Sequence, residues 1–292
     1  MRTPPRVMPA LITPFGLEGR LDLAAHHDNV GRLWERGVAG LAIGGSNGEG
    51  PYLEAGERHA LAAVARRAAP EAFILVGIAA ESLRAAIEMA AEAGRAGADA
   101  LLVMTPTTLV RHRPDLLEAY YRDLAGQAEL PIFLYSVPKV TAVELSLDAA
   151  VRLSQVPGIV GMKDSGGDAV KIATLASQAK RGFYAFAGSS AAISPSMATG
   201  PVYGALTASV NYAPELVAAL VAAAGSDVTQ GLHDRLVRLS GAIEQHGVTA
   251  VKYAAERTGL SGGWPRLPLR PATAEVRAAV DAAIAEAGVP TR

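Results

Sequence analysis

Ile159-Val160-Gly161-Met162-Lys163-Asp164-Ser165-Gly166-Gly167-Asp168 reads as a short apolar strand that ends in a lysine and breaks at once into a polar, glycine-rich turn. Only five of the chain's 27 basic residues are lysine, so a chain that favours arginine for charge has placed an amine at the end of its most strand-like run. An amine can shed its proton and act as a nucleophile, which a guanidinium cannot. The plainer alternative is a strand-end lysine that lays its stem on apolar surface and sends its charge to water. Neighbours in sequence do not separate the two readings; the fold that carries the strand does.

Seven further β-rich or apolar runs flank this one: Val7 to Thr13, Gly40 to Gly44, Phe73 to Ile78, Ala100 to Met104, Ile132 to Tyr135, Tyr184 to Gly188 and Tyr203 to Ser209. Their starts lie about 19 to 33 residues apart, room for a strand, a crossover helix and two loops. Helical patterns fill the gaps. Leu23 to Arg36 sets Val30, Leu33 and Trp34 on one face and stops at Gly37; Glu54 to Ala69 ends before Pro70; Ser82 to Ala93 opens on a serine cap. Pro114 to Gln127 opens on proline, and Ser146 to Ser154, Asp168 to Lys180 and Ser190 to Met197 complete the set. Continuous apolar strands alternating with helices indicate a parallel sheet with a covered outer face. A doubly wound nucleotide-binding sheet would place a glycine fingerprint after its first strand, where this chain has Thr13-Pro14-Phe15-Gly16. Eight units favour a (β/α)8 TIM barrel of class α/β. The barrel is expected over residues 1–225, with an appended C-terminal helical region over residues 226–292.

Composition narrows the function. Half of the 292 residues are hydrophobic and 19% are charged, enough for a large core. A net charge of −1 gives no basic footprint for nucleic acid or an anionic membrane, and the apolar stretch Leu216 to Ala224 is too short to span a bilayer. Without an apolar leader at the N-terminus, a cytoplasmic protein is the expectation. The absence of cysteine excludes disulfides, thiolate metal sites and a thiol nucleophile. His26 and His27 lack a companion ligand at metal spacing and read as surface residues, and no metal or cofactor is expected.

In such a barrel the active site lies at the C-terminal ends of the strands. That rule gathers Thr13-Pro14, the turn Gly44-Gly45-Ser46-Asn47-Gly48-Glu49, Tyr135-Ser136-Val137-Pro138, Lys163 and Gly188-Ser189-Ser190 at one mouth. An amine, a phenol and turns rich in N–H and hydroxyl donors suit a carbonyl compound that carries a carboxylate. The amine condenses with the ketone, the phenol moves protons and the Gly-Ser-Asn turn holds the anionic end. Glu49 reads as a cap of that turn or of the helix behind it. Asp164 either acts electrostatically on Lys163 or bonds nearby backbone N–H groups.

The motifs Gly45-Ser46-Asn47-Gly48-Glu49, Tyr135-Ser136-Val137-Pro138 and Gly161-Met162-Lys163-Asp164-Ser165-Gly166-Gly167-Asp168, in this order, resemble those of the dihydrodipicolinate synthase and N-acetylneuraminate lyase superfamily of Schiff-base pyruvate aldolases. The likeness covers Val7 to about Pro268. It implies an iminium between Lys163 and the ketone of a 2-oxo acid of the pyruvate type, Tyr135 as acid and base, Ser46 and Asn47 on the carboxylate, and a homo-oligomer, tetramer or dimer. In detail the motifs look most like 4-hydroxy-2-oxoglutarate aldolases, which adds Ser165 and Gly188 to the substrate contacts and implies cleavage to pyruvate and glyoxylate. The alternatives are condensation of pyruvate with aspartate semialdehyde, a 2-keto-3-deoxy sugar-acid aldolase or dehydratase, and a catalytically silent barrel that binds a keto acid. Three sites depart from the family pattern, the first being Ser46 and Asn47, where synthases usually carry two threonines. Val140 stands where an arginine follows the Tyr-x-Val-Pro motif, and Thr107-Thr108 replace a tyrosine pair after the fourth strand. Tyr120 and Tyr121 read as packing residues, and a proton relay would have to pass through Thr107 or water. Arg111-His112-Arg113 reads as a solvated loop, or as a seat for a second carboxylate.

Overall fold

A computed structural model describes residues 2–291. Among them, eight parallel strands form one sheet: β1 Val7–Pro9, β2 Gly40–Ile43, β3 Phe73–Ile78, β4 Ala100–Met104, β5 Ile132–Ser136, β6 Ile159–Asp164, β7 Tyr184–Ala187 and β8 Gly204–Thr207. Neighbours pair in the order β1-β8-β7-β6-β5-β4-β3-β2. The circle closes where Ala10 bridges Ala42 and Leu11 N donates to the Ala42 carbonyl at 2.9 Å. The helices are α1 Leu23–Glu35, α2 Glu57–Ala68, α3 Leu83–Arg95, α4 Pro114–Ala125, α5 Pro138–Thr141, α6 Leu147–Ser154, α7 Ala169–Gln178, α8 Ile193–Thr199 and α9 Pro214–Ala222. Three more follow the last strand: α10 Thr229–Glu244, α11 Val248–Arg257 and α12 Ala274–Glu286. The expected (β/α)8 barrel with appended helices is the architecture observed.

Period-two alternation divides the apolar residues into two cores. One set of strand residues, Phe73 and Leu75, Leu102 and Met104, Phe133 and Tyr135, fills the barrel with Met8, Phe186 and Leu206. The alternate set, including Ile74, Val76, Leu101, Val103, Leu134 and Met162, packs outward against the helices. Interior volume is shared between neighbours. Gly161 pairs with Phe133, and a Cβ on Gly161 would stand 2.4 Å from the Phe133 ring. The glycine in the opening motif therefore makes room for an aromatic inside the barrel.

Several boundaries differ from the sequence reading. β1 is shorter than read: after Pro9, Ala10 N makes one more bond to the Thr207 carbonyl at 3.0 Å, and Leu11 N then turns to β2. α2 begins at Glu57 because residues 50–52 wind into a 3₁₀ turn and Gly56 takes φ +81°. α5 and α9 went unrecognised in the sequence; each opens on a proline. The caps at Ser82, Ser146 and Asp168 stand where expected, each side chain accepting from the N–H three residues on. Val30 and Leu33 are fully buried, but Trp34, about 100° further round the helix, is 38% exposed rather than part of the core face.

His26 corrects a second expectation. His27 is exposed, as read, but His26 is buried between α1 and α2, with Nε2 3.2 Å from the Leu61 carbonyl and no partner for Nδ1. The carbonyl partner requires the Nε2–H tautomer. Burial pushes the imidazole down to about 4, against a slight pull the other way from the Leu61 contact. The folded state thus holds this histidine neutral where the unfolded chain would protonate it. Its share of stability is present above pH 6.5 and is lost as pH falls toward about 4, by roughly 3 kcal/mol in all. His26→Gln keeps a donor for Leu61 and cannot titrate. Chemical denaturation from pH 7 to 4 should therefore fall less steeply for the variant; parallel curves would refute the assignment.

Candidate active site

The parallel register sets Tyr135 beside Lys163, as it sets Phe133 beside Gly161 two residues earlier. Both side chains point inward at the mouth and both are buried. Lys163 Nζ donates to Tyr135 Oη at 3.2 Å and sits 4.3 Å from the ring centroid. Tyr135 Oη also shares a hydrogen bond with Ser46 Oγ at 2.8 Å. Amine, phenol and hydroxyl therefore form one contiguous chain, contributed by β6, β5 and the turn after β2.

That turn is wound tightly. Gly50 N donates to the Gly45 carbonyl at 2.9 Å, and Thr13 Oγ1 donates to the Gly48 carbonyl at 2.7 Å. A Cβ on Gly50 would lie 1.9 Å from the Gly44 carbonyl oxygen, so the turn closes only around a glycine. Glu49 stands at the N-cap position of the 3₁₀ turn, but its backbone is left-handed at φ 53° and its side chain makes no cap hydrogen bond. Its carboxylate instead reaches α11, where Lys252 Nζ lies 2.7 Å from Oε1. Lys252 also donates to the carbonyls of Thr13 at 2.9 Å and Trp264 at 2.7 Å, while Arg266 N donates to Glu49 Oε2 at 2.8 Å. Both members of the pair are buried, so losing either would leave a stranded charge, a loss of about 3–5 kcal/mol.

Asp164 turns away from Lys163 to brace the following turn. Its Oδ1 accepts from Gly166 N at 2.7 Å, and Oδ2 lies 2.9 Å from Lys171 Nζ, which also reaches Glu144 at 2.7 Å. Of the two readings the sequence left open, backbone bracing is the one observed. Ser165 Oγ donates to the Gly188 carbonyl at 3.3 Å, and Gly188 N donates to the Asp164 carbonyl at 2.7 Å. Both backbone groups of Gly188 are thus engaged with β6 and its turn.

Lys163, Tyr135, Ser46, Asn47, Ser165 and Gly188 all line a single cleft of about 1130 Å³. Lys139 and the half-exposed Val140 stand on its wall. Thr107 is turned toward Glu81, which accepts from Thr107 N, Thr107 Oγ1 and Thr108 N at 2.8–3.1 Å. Within the chain it makes no hydrogen bond to Tyr135. Tyr120 and Tyr121 are buried packing residues, and Arg113 is an exposed partner of Asp115. Among the described residues, no group of three or more His, Asp and Glu side chains could hold a metal ion. No helix among them is long and apolar enough to cross a membrane.

Sequence reasoning missed the far wall. Val237, Ser240, Gly241 and Glu244 of α10 face the cleft at i, i+3, i+4 and i+7. That small and polar stripe runs beside the apolar one formed by Leu236, Leu239 and Ile243. It is visible in the sequence, but nothing there says what it would face.

A buried strand-end lysine in contact with a phenol, at the mouth of a parallel (β/α)8 barrel, defines a class of lysine-dependent carbonyl enzymes. Residues 3–287 match the Dihydrodipicolinate synthetase family, and the chain belongs to that family. Relatives named 4-hydroxy-tetrahydrodipicolinate synthase include one from Phenylobacterium zucineum, 35% identical over 97% of both chains. Another, from Moorella thermoacetica, is 31% identical over 97% of this chain and 98% of its own. A chloride-inhibited dihydrodipicolinate synthase from Acinetobacter baumannii, solved with pyruvate, superimposes at a TM-score of 0.92 with 29% identity, covering 99% of this chain and all of that one. The chain is thus an enzyme of the class I aldolase and lyase type.

Proposed function

We propose that the enzyme makes or breaks a carbon–carbon bond at C3 of pyruvate held as an imine on Lys163. The observation that carries this reading is the contact of Lys163 Nζ with Tyr135 Oη at 3.2 Å, continued to Ser46 Oγ at 2.8 Å. The free amine adds to the C2 ketone, and the carbinolamine loses water to give the iminium. Loss of a C3 proton then yields an enamine. In the condensing direction C3 attacks the aldehyde carbon, and water releases Lys163 with the new carbonyl product. Tyr135, in contact with the nitrogen, carries protons to and from the carbinolamine oxygen and C3. Ser46 and Asn47, at a turn rich in N–H groups, hold the pyruvate carboxylate. Ser165 and Gly188, on the same cleft, flank the bound substrate.

The relatives' names favour condensation with aspartate semialdehyde over cleavage of 4-hydroxy-2-oxoglutarate to pyruvate and glyoxylate. Cleavage is the second reading, on one observation: apolar Val140 stands on the cleft where a synthase-type arginine would meet a carboxylate. Reduction with borohydride in the presence of pyruvate should leave an adduct on the peptide containing Lys163. No adduct, or one confined to another lysine, would refute the imine at this residue. The ratio of kcat/KM for the two reactions then decides between the readings.

A further inference from the structure

α10 brings a carboxylate into the cleft that the imine chemistry does not use. Glu244 lies at the end of the stripe Val237, Ser240, Gly241, Glu244 and lines the same cleft as Lys163. The wall is open at Gly241, where a Cβ would meet nothing within 4 Å. Tyr212 Oη, itself fully buried, donates to Glu244 Oε1 at 2.9 Å and fixes the carboxyl in place. The same cleft carries the hydroxyls of Ser189, Ser190 and Ser240 and the amide of Gln245, with Ser190 a further donor to Glu244. Lys139 supplies the opposite charge on the same cleft.

We propose that Glu244 is a specificity residue for the aldehyde half of the reaction, accepting a hydrogen bond from an ammonium or hydroxyl group that the aldehyde carries. The inference rests on the imine reading, since only a substrate anchored at Lys163 gives the far wall something to select. A second carboxylate would be turned away from Glu244, whereas a donor offsets the cost of taking this group out of water. Burial already holds the Glu244 carboxyl above the usual carboxylate range, against the pull of Tyr212, Lys163, Lys139 and Ser190. With Lys139 nearby, an α-amino acid carrying an aldehyde would meet complementary charge at both of its head groups.

The test compares aldehydes that differ only in the donor, with pyruvate as partner: aspartate semialdehyde against succinic semialdehyde, and glyceraldehyde against propanal. The native enzyme should favour the donor-bearing member of at least one pair by about tenfold or more in kcat/KM. The preferred pair tells ammonium from hydroxyl. Glu244→Gln and Glu244→Ala should each compress that ratio toward one, and a ratio within one variant is unaffected by partial loss of folded enzyme. Preference absent from the native enzyme, or fully kept in both variants, overturns the proposal. Borohydride trapping of the native enzyme with pyruvate alone reads the imine separately. An adduct on Lys163 without aldehyde preference therefore refutes the role of Glu244 and leaves the imine standing.

Discussion

Lys163→Met is expected to leave a folded barrel that forms no borohydride-stable adduct with pyruvate and turns over at least roughly 10⁴-fold more slowly, the scale of loss when a covalent nucleophile is removed. Methionine occupies much of the same length in a buried position without bringing a charge, so the thermal midpoint should not fall. The chemical deficit follows from the electron sink. An iminium nitrogen bears the charge that makes a C3 proton removable, and a neutral ketone in the same place does so far less well. Lys139 lines the same cleft and is the natural competitor. An adduct that persisted on Lys139 in the variant, with turnover within tenfold of native, would mean that the two amines had been assigned the wrong way round.

Tyr135→Phe separates binding from proton transfer. The ring stays in the barrel core with Phe133, Met104 and Phe186, while the atom that touches both Lys163 and Ser46 is removed. Pyruvate should still be trapped on Lys163. Steady-state turnover should fall by about 10²–10⁴-fold, the usual contribution of a positioned acid–base group. Unchanged turnover would reduce the tyrosine to a packing residue. Loss of the adduct together with turnover would make the carbinolamine step, rather than proton transfer at C3, the one that depends on the phenol.

The sequence carried the features that repeat. Eight apolar runs at crossover spacing were enough for the barrel, and serine, aspartate and proline marked helix starts at Ser82, Ser146, Asp168 and Pro114. The barrel rule then collected Lys163, Tyr135 and Ser46, which the structure brings into contact. What stayed hidden depends on contacts distant along the chain. Glu49 looks like a local cap because its partner lies 203 residues away, and no periodicity announces Lys252. Glu244 was invisible for the same reason: a helical stripe reveals a face but not the surface opposite. His26 and Trp34 illustrate a third limit. A polar residue beside an apolar stripe and an aromatic one step past it exchange roles according to how neighbouring helices pack.

The Glu49–Lys252 contact also bears on how the molecule comes into being. During synthesis from the N-terminus, the strands of the barrel emerge well before α11, so the turn that carries Ser46 and Asn47 spends that interval with an acidic side chain and no counter-charge. Its left-handed Glu49 then has neither Lys252 nor the Arg266 N–H, and the turn rests on its own hydrogen bonds and the one from Thr13. A working mouth is a late event, completed when the last helices dock. A nascent chain that stops short of residue 252 is expected to leave the ribosome with much of its barrel and a Ser46–Asn47 turn whose Glu49 carboxylate lacks its partner.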